Sequence, residues 1–266
     1  MLDLQSLTVG YRNTRGAVLS GIDVSAAPGD FVCILGRNGS GKSTLMRTIA
    51  GLQAALDGAA LLDGEDIASM RPATRARRIA VVLTERQFNP GLRVDDVIAL
   101  ARQPFTGWQG GLADDDRGAI ADAVAVTGVE PFLRRFFSDL SDGERQRVMI
   151  ARALAQTPHL MILDEITAFL DLPSRVEIMA MLRDQAREKE QIVLLSSHDL
   201  DLSLQLADSV WLLDDAGGFS VGTPDELSRS GALGGAFDSG AIRFSPERGR
   251  FEIGTAESLA GETPDS

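Results

Sequence analysis

The sequence is poor in the residues that would place it in several large classes. Among 266 residues there is one cysteine, Cys33, which excludes a disulfide framework and suits a reducing compartment. Cys33 stands inside the apolar run Phe31-Val32-Cys33-Ile34-Leu35, where a thiol is expected to be buried and inert rather than nucleophilic. No uninterrupted apolar stretch reaches membrane-spanning length. The first residues, Met1-Leu2-Asp3-Leu4-Gln5, lack a basic segment followed by an apolar one, so no secretory signal is expected and the chain reads as soluble on its own. Lysine occurs only at Lys42 and Lys189, tyrosine only at Tyr11, and histidine only at His159 and His198.

What is abundant is negative charge. A net charge of -12 repels phosphate backbones and argues against nucleic acid as a partner. It also disfavours docking on an anionic leaflet, so attachment to a membrane is expected to run through a protein partner. Arginine is common and aspartate outnumbers glutamate. Two readings of that bias stay open, a GC-rich genome and a salty cytoplasm in which hydrated carboxylates maintain solubility. The length and a 44% hydrophobic content allow one large domain or a core with a subdomain.

No repeat of solenoid period is present. Residues 2–9 alternate apolar and polar and predict a half-buried strand; residues 19–24 predict a second, before the turn Ala27-Pro28-Gly29-Asp30. Residues 31–35 form a continuous apolar strand that runs into a glycine-rich loop, and residues 43–51 predict a helix ending at Gly51. A strand is expected at 59–62, before Asp63-Gly64. Further buried strands are expected at 79–83, 160–163 and 192–195, with helices at 145–156 and 174–189. Residues 94–128 carry helical patterning broken by Pro104 and by Gly107-Trp108-Gln109-Gly110-Gly111. Strands alternating with helices indicate an α/β domain built on a mainly parallel sheet. Towards the C-terminus, residues 242–244 and 251–253 flank Pro246-Glu247-Arg248-Gly249 and predict a hairpin, and residues 254–266 are polar and expected to fray.

The loop Gly36-Arg37-Asn38-Gly39-Ser40-Gly41-Lys42-Ser43 fits G-x-x-x-x-G-K-[ST], with a strand before it and a helix after it. Glycines at 36, 39 and 41 let backbone N–H groups, with those of Asn38 and Ser40, converge on phosphate oxygens, and the helix N-terminus adds its positive end. Lys42 supplies a point charge for the β- and γ-phosphates, Ser43 a hydroxyl for Mg2+, and Thr44 reaches the α-phosphate. The strand at 160–163 delivers Asp164 and Glu165. In a phosphate-loop protein, ligands lie at the carboxyl ends of such strands. Asp164 is then placed to hold Mg2+, directly or through its water, and Glu165 to polarise the attacking water.

Between these motifs stands Leu140-Ser141-Asp142-Gly143-Glu144-Arg145-Gln146. It resembles the signature motif of the ABC ATPase superfamily, usually L-S-G-G-Q, and the resemblance spans about residues 2–225, extending into the C-terminal hairpin. It implies a P-loop NTPase fold, a RecA-like parallel core with an antiparallel β subdomain and an α-helical signature subdomain. The expected organisation is an ATPase domain over 1–225, its helical subdomain at about 88–156, and a C-terminal extension over 226–266. The resemblance further implies that Ser141 and the Gly143 amide approach the γ-phosphate held by another subunit, and that Tyr11 stacks on adenine. It makes Asp171 the D-loop residue coupling two sites, and His198 the switch histidine that contacts γ-phosphate and orients Glu165. His159, in a Thr-Pro-His turn, is expected only to be a surface residue.

The resemblance departs from the family at three positions. Thr84, in Thr84-Glu85-Arg86-Gln87, stands where a glutamine usually senses Mg2+, with Glu85 and Gln87 as neighbouring candidates for that work. Asp142 replaces a glycine, and Ile166 a proline. The stretch Ala99-Leu100-Ala101-Arg102-Gln103-Pro104-Phe105-Thr106-Gly107-Trp108 is similar to one in importers of ferric siderophores, haem and cobalamin. Such a subunit hydrolyses ATP as a head-to-tail homodimer on the cytoplasmic face of the membrane. It works with a transmembrane permease and, through it, a substrate-binding protein. Two rivals are a soluble mechanoenzyme acting on nucleic acid or ribosomes and a non-hydrolysing regulator. The first is disfavoured by the acidic charge, the lack of a long coiled-coil insertion and the presence of a single cassette. For the second, only the altered segment at Thr84 speaks.

Overall fold

A computed structural model describes residues 1–12, 16–83, 91–106, 111–168, 170–239 and 242–253. The chain opens with strands β1 (Leu2–Tyr11) and β2 (Gly16–Ala26), after which β3 (Phe31–Gly36) leads to α1 (Lys42–Ile49). Strands β4 (Asp57–Leu62) and β5 (Glu65–Asp66) precede α2 (Pro72–Arg78) and β6 (Ile79–Val82). Three helices follow, α3 (Val94–Ala99), α4 (Asp114–Thr127) and α5 (Asp142–Ala155). Then come β7 (Leu160–Asp164), α6 (Leu172–Glu188), β8 (Ile192–Ser196), α7 (Leu200–Leu206), β9 (Ser209–Leu213) and β10 (Phe219–Gly222). Helices α8 (Pro224–Arg229) and α9 (Ala232–Phe237) lead to the hairpin β11 (Ile242–Ser245) and β12 (Arg250–Ile253).

The central sheet has the order β10-β9-β3-β8-β7-β6. Its strands pair in parallel except β10, which runs antiparallel to β9. The near-continuous apolar runs of β3, β7 and β8 are what a sheet covered on both faces requires. Period-two alternation divides them between two cores. Phe31, Cys33, Leu35, Met161, Leu163, Val193 and Leu195 pack towards a core shared with α5 and α6. Val32, Ile34, Leu160, Ile162, Ile192, Leu194 and Trp211 join α1 and β1 on the other face. Each fully buried large apolar side chain contributes about 1.5–3 kcal/mol relative to its exposed state. The second sheet, β2-β1-β4-β5, is antiparallel.

Several expected boundaries shift for local reasons. The expected helix at 145–156 begins at Asp142, because Ser141 caps it. The helix expected at 174–189 begins at Leu172, with Pro173 in its first turn, where a missing N–H costs nothing. The patterning over 94–128 divides into α3, a 3-10 turn at Leu100–Arg102 and α4. Strands β9 and β10 and helices α2, α7, α8 and α9 were not foreseen. Leu227, Leu233, Ala236 and Phe244, from the C-terminal segment, share the core of β3 and α5. The expectations for Thr84, Glu85, Arg86 and Gln87, for the stretch 107–110 and for the frayed tail at 254–266 lie outside the described residues.

Candidate functional site

β3 ends at Gly36, where a side chain has no room: a Cβ would stand 2.6 Å from Ser40 Oγ and 2.7 Å from the Leu213 carbonyl oxygen. The chain then turns through Arg37, Asn38, Gly39 and Ser40 to Gly41, which opens α1 with φ 105°, a left-handed conformation that favours glycine. No acidic residue occupies the first turn of α1, so its unpaired N–H groups and positive end are not neutralised from within the helix. Lys42 is buried, and its ammonium donates to the carbonyl oxygens of Gly36 at 2.8 Å and Arg37 at 3.0 Å. Burial pushes this lysine below its ordinary range, while the nearby Glu165 and Asp164 carboxylates oppose that shift. The parallel register of β3 with β8, and of β8 with β7, brings the loop and the two carboxylates to one end of the sheet. Ser40 Oγ is buried without a hydrogen-bond partner. Ser43 is half-buried and Thr44 buried, and the hydroxyls of Thr44 and Tyr11 lie 3.2 Å apart.

The carboxylates are held by neighbouring strands. Asp164 ends β7 directly opposite Ser196, the last residue of β8. The Ser196 hydroxyl donates to Asp164 Oδ1 at 2.6 Å and accepts from the Glu165 amide at 2.9 Å. Glu165 itself has φ 52°, an uncommon conformation for a residue with a side chain. Its Oε1 lies 2.7 Å from His198 Nε2, just beyond β8. Glu165, His198, Thr167, Arg175 and Asp199 line a recess of about 290 Å3. Sequence reasoning missed Ser196, although its place at the end of an apolar strand beside the Asp-Glu strand was a usable signal. Arg175 closes a sequence stretch, 169–175, that is similar to the importer subgroup, and Asp199 follows the switch histidine, but neither stretch assigned these two side chains a role.

Ser141 and Gly143 belong to the start of α5. The Ser141 side chain accepts from the Glu144 amide at 3.3 Å, and Glu144 Oε2 accepts from the Ser141 amide at 2.7 Å. This reciprocal cap satisfies two otherwise unpaired donors. The Ser141 amide is the main reason that the Glu144 carboxyl lies below its ordinary range. Asp142 faces outward and pairs with Arg145 at 3.5 Å, which answers where the substituted acid points. Asp171 caps α6 by accepting from the Ser174 amide at 3.2 Å, and the Ser174 hydroxyl and amide hold its carboxyl below the usual range. His159 is exposed and bonds Asp63 at 2.9 Å, on another part of the surface.

Residues 19–168 match the family described as ABC transporter. The chain belongs to that family. This ABC transporter chain is 38% identical to an uncharacterized ABC transporter ATP-binding protein of Methanocaldococcus jannaschii, over 95% of this chain and 87% of the other. It is 35% identical to the cobalamin import ATP-binding protein of Halobacterium salinarum, over 95% of this chain and 63% of that one. A solved ATP-binding subunit of an ABC transporter superposes with a TM-score of 0.75 at 27% identity, covering 88% and 94% of the two chains. The chain therefore has the mixed α/β fold of ABC cassettes, binds ATP and is an ATPase coupled to transport. Among the described residues, no helix is long and apolar enough to cross a membrane.

Proposed function

We propose that the chain energises import of an iron chelate (a ferric siderophore or haem) or of cobalamin through a transmembrane permease, as half of an ATP-sandwiching homodimer. The observation that carries the mechanism is the cluster at the ends of β7 and β8. Ser196 fixes Asp164 and the Glu165 amide, and His198 meets the Glu165 carboxylate at 2.7 Å, beside the buried Lys42. Lys42 and the amides of Gly36, Asn38, Gly39, Ser40 and Gly41 bind the phosphates, Thr44 the α-phosphate, and Tyr11 the adenine face. The unpartnered Ser40 hydroxyl and the acid-free start of α1 fit a polyanion. Ser43 and Asp164, with Thr84 as a further candidate, offer hard oxygen ligands that suit Mg2+. Bound there, Mg2+ would neutralise charge on the phosphate oxygens. Glu165 accepts the proton of the attacking water, and His198 holds that carboxylate in place.

A second copy completes each site with its Ser141 and Gly143, and Asp171 lies at the junction between the two sites. ATP closes the dimer because its phosphates bind both halves, a differential affinity for the closed state. Hydrolysis reopens it. The ATPase domain is placed at residues 1–225, its helical subdomain at about 88–156, and the extension at 226–266. The permease is contacted from the segments around Thr84–Gln87 and 102–108, at the cytoplasmic face of the membrane, and receives substrate from a binding protein. The iron-chelate or cobalamin reading rests on the stretch 99–108 and is supported by the similarity to a cobalamin importer's subunit.

Glu165→Gln should still bind ATP, lose about 100- to 10,000-fold in turnover, and accumulate an ATP-dependent dimer in light scattering. A variant that hydrolyses at the normal rate would remove Glu165 from its role. Uptake by vesicles holding the permease, with a ferric siderophore, haem and cobalamin offered separately, tests the substrate.

A further inference from the structure

Two parts of the chain that serve different sites in the proposed dimer are joined by one side chain. Gly143 belongs to the surface offered to the partner's site. A Cβ placed on Gly143 would stand 3.3 Å from Leu170 Cδ2, so the start of α5 sits against Leu170, the residue before Asp171. Arg175, in the first turn of α6, donates from Nε to the Leu170 carbonyl oxygen at 2.8 Å. Its Nη1 donates to Asp199 Oδ2 at 3.3 Å. Asp199 follows His198 and, through Oδ1, accepts from the Leu202 amide at 3.2 Å to cap α7. Arg175 and Asp199 also wall the recess that holds Glu165 and His198. A second tie, from Arg147 of α5 to Glu177 of α6 at 2.7 Å, binds the same two helices together.

We infer that Arg175 is a positioning residue that couples the two nucleotide sites of the dimer through a single chain. This rests on the composite-site reading above. The planar guanidinium presents donors in a fixed fork, so it holds the 170–171 segment and the 198–199 segment at a set separation. A displacement of His198 on phosphate binding in the chain's own site is thereby passed to Leu170, and from there to Gly143 and Asp171 at the partner's site. Coupling of this kind is reciprocal in binding. Arg175 acts through its two partners, the Leu170 carbonyl oxygen and the Asp199 carboxylate. A lysine can reach either the carbonyl or the carboxylate but cannot span both with a rigid fork.

The test is ATP hydrolysis against ATP concentration for the full-length chain, its Arg175→Lys and its Arg175→Met variants. Affinity for a fluorescent ATP analogue and the thermal midpoint are measured alongside. The wild type should show a Hill coefficient of about 1.5–2. Arg175→Met should fall to about 1 with a maximal rate about 10-fold lower, and analogue affinity within about 2-fold of wild type. Arg175→Lys should recover part of the rate but not the cooperativity. An unchanged Hill coefficient in both variants overturns the inference, as does a rate loss that follows the thermal midpoint alone. A non-cooperative but active wild type overturns it too. The composite-site reading fails separately: if mixed Lys42→Met and Ser141→Arg chains regain no hydrolysis while the wild type is active, that reading is removed whatever the Arg175 variants show.

Discussion

Lys42 carries opposed demands at the residue scale. It must remain charged to meet a phosphate, yet it is buried, and burial lowers its pKa against the pull of Glu165 and Asp164. A base whose folded pKa is depressed releases its proton more readily in the folded chain than in the unfolded one. Without nucleotide, stability should therefore rise with pH from the lowered value towards the ordinary lysine value of 10.5. Denaturant midpoints measured over that range should show the rise in the wild type and a smaller one in Lys42→Met, which should also lose most of its affinity for ATP. Equal slopes in the two proteins would contradict the burial argument. At Cys33 burial and charge act in the same direction: desolvation first, and then the Asp208 carboxylate, push its thiol up to about 12, as suits an inert core residue.

The capping of α5 decides where the Ser141 hydroxyl and the Gly143 amide sit, so function at the element scale depends on a helix end. Ser141→Ala removes one side of the reciprocal cap and should cost about 0.5–2 kcal/mol in a denaturant titration. Glu144 supplies the other side. Its pKa is depressed, so its contribution is present above the ordinary glutamate value of 4.5 and is lost as the pH falls through the folded value. Stability curves of wild type and Glu144→Gln should therefore converge in acid, and a constant gap between them would contradict this. Elements of this kind were legible where the pattern was continuous: the runs of β3, β7 and β8 stand where periodicity put them. The Val210-Trp211-Leu212-Leu213 run of β9 is equally apolar, but no chemical motif follows it. Helix α2, Pro-Ala-Thr-Arg-Ala-Arg-Arg, has no buried residue, so hydrophobic periodicity had nothing to report. At the site, the phosphate loop and the Asp-Glu pair announced themselves by local sequence. Ser196 could be suspected from its place at the end of an apolar strand, but its bonds to Asp164 and Glu165 come from the register of β7 with β8, and Arg175 and Asp199 are brought in by the packing of α6.

The whole molecule is acidic, with a net charge of -12, and two such chains repel one another across any shared face. ATP supplies the compensating contacts in the proposed dimer, because the phosphate loop of one chain and the Ser141 segment of the other grip the same phosphates. The central claim is that each site is built from two chains. It is tested most directly by mixing Lys42→Met chains with Ser141→Arg chains. Each variant alone has both sites broken. The hybrid dimer has one intact site, formed by the phosphate loop of the second chain and the signature residues of the first. An equal mixture should regain ATP hydrolysis, up to about a quarter of the wild-type rate from the share of hybrid dimers. A mixture as inactive as its two components would contradict the shared site, and so would full activity in the Ser141→Arg chain alone.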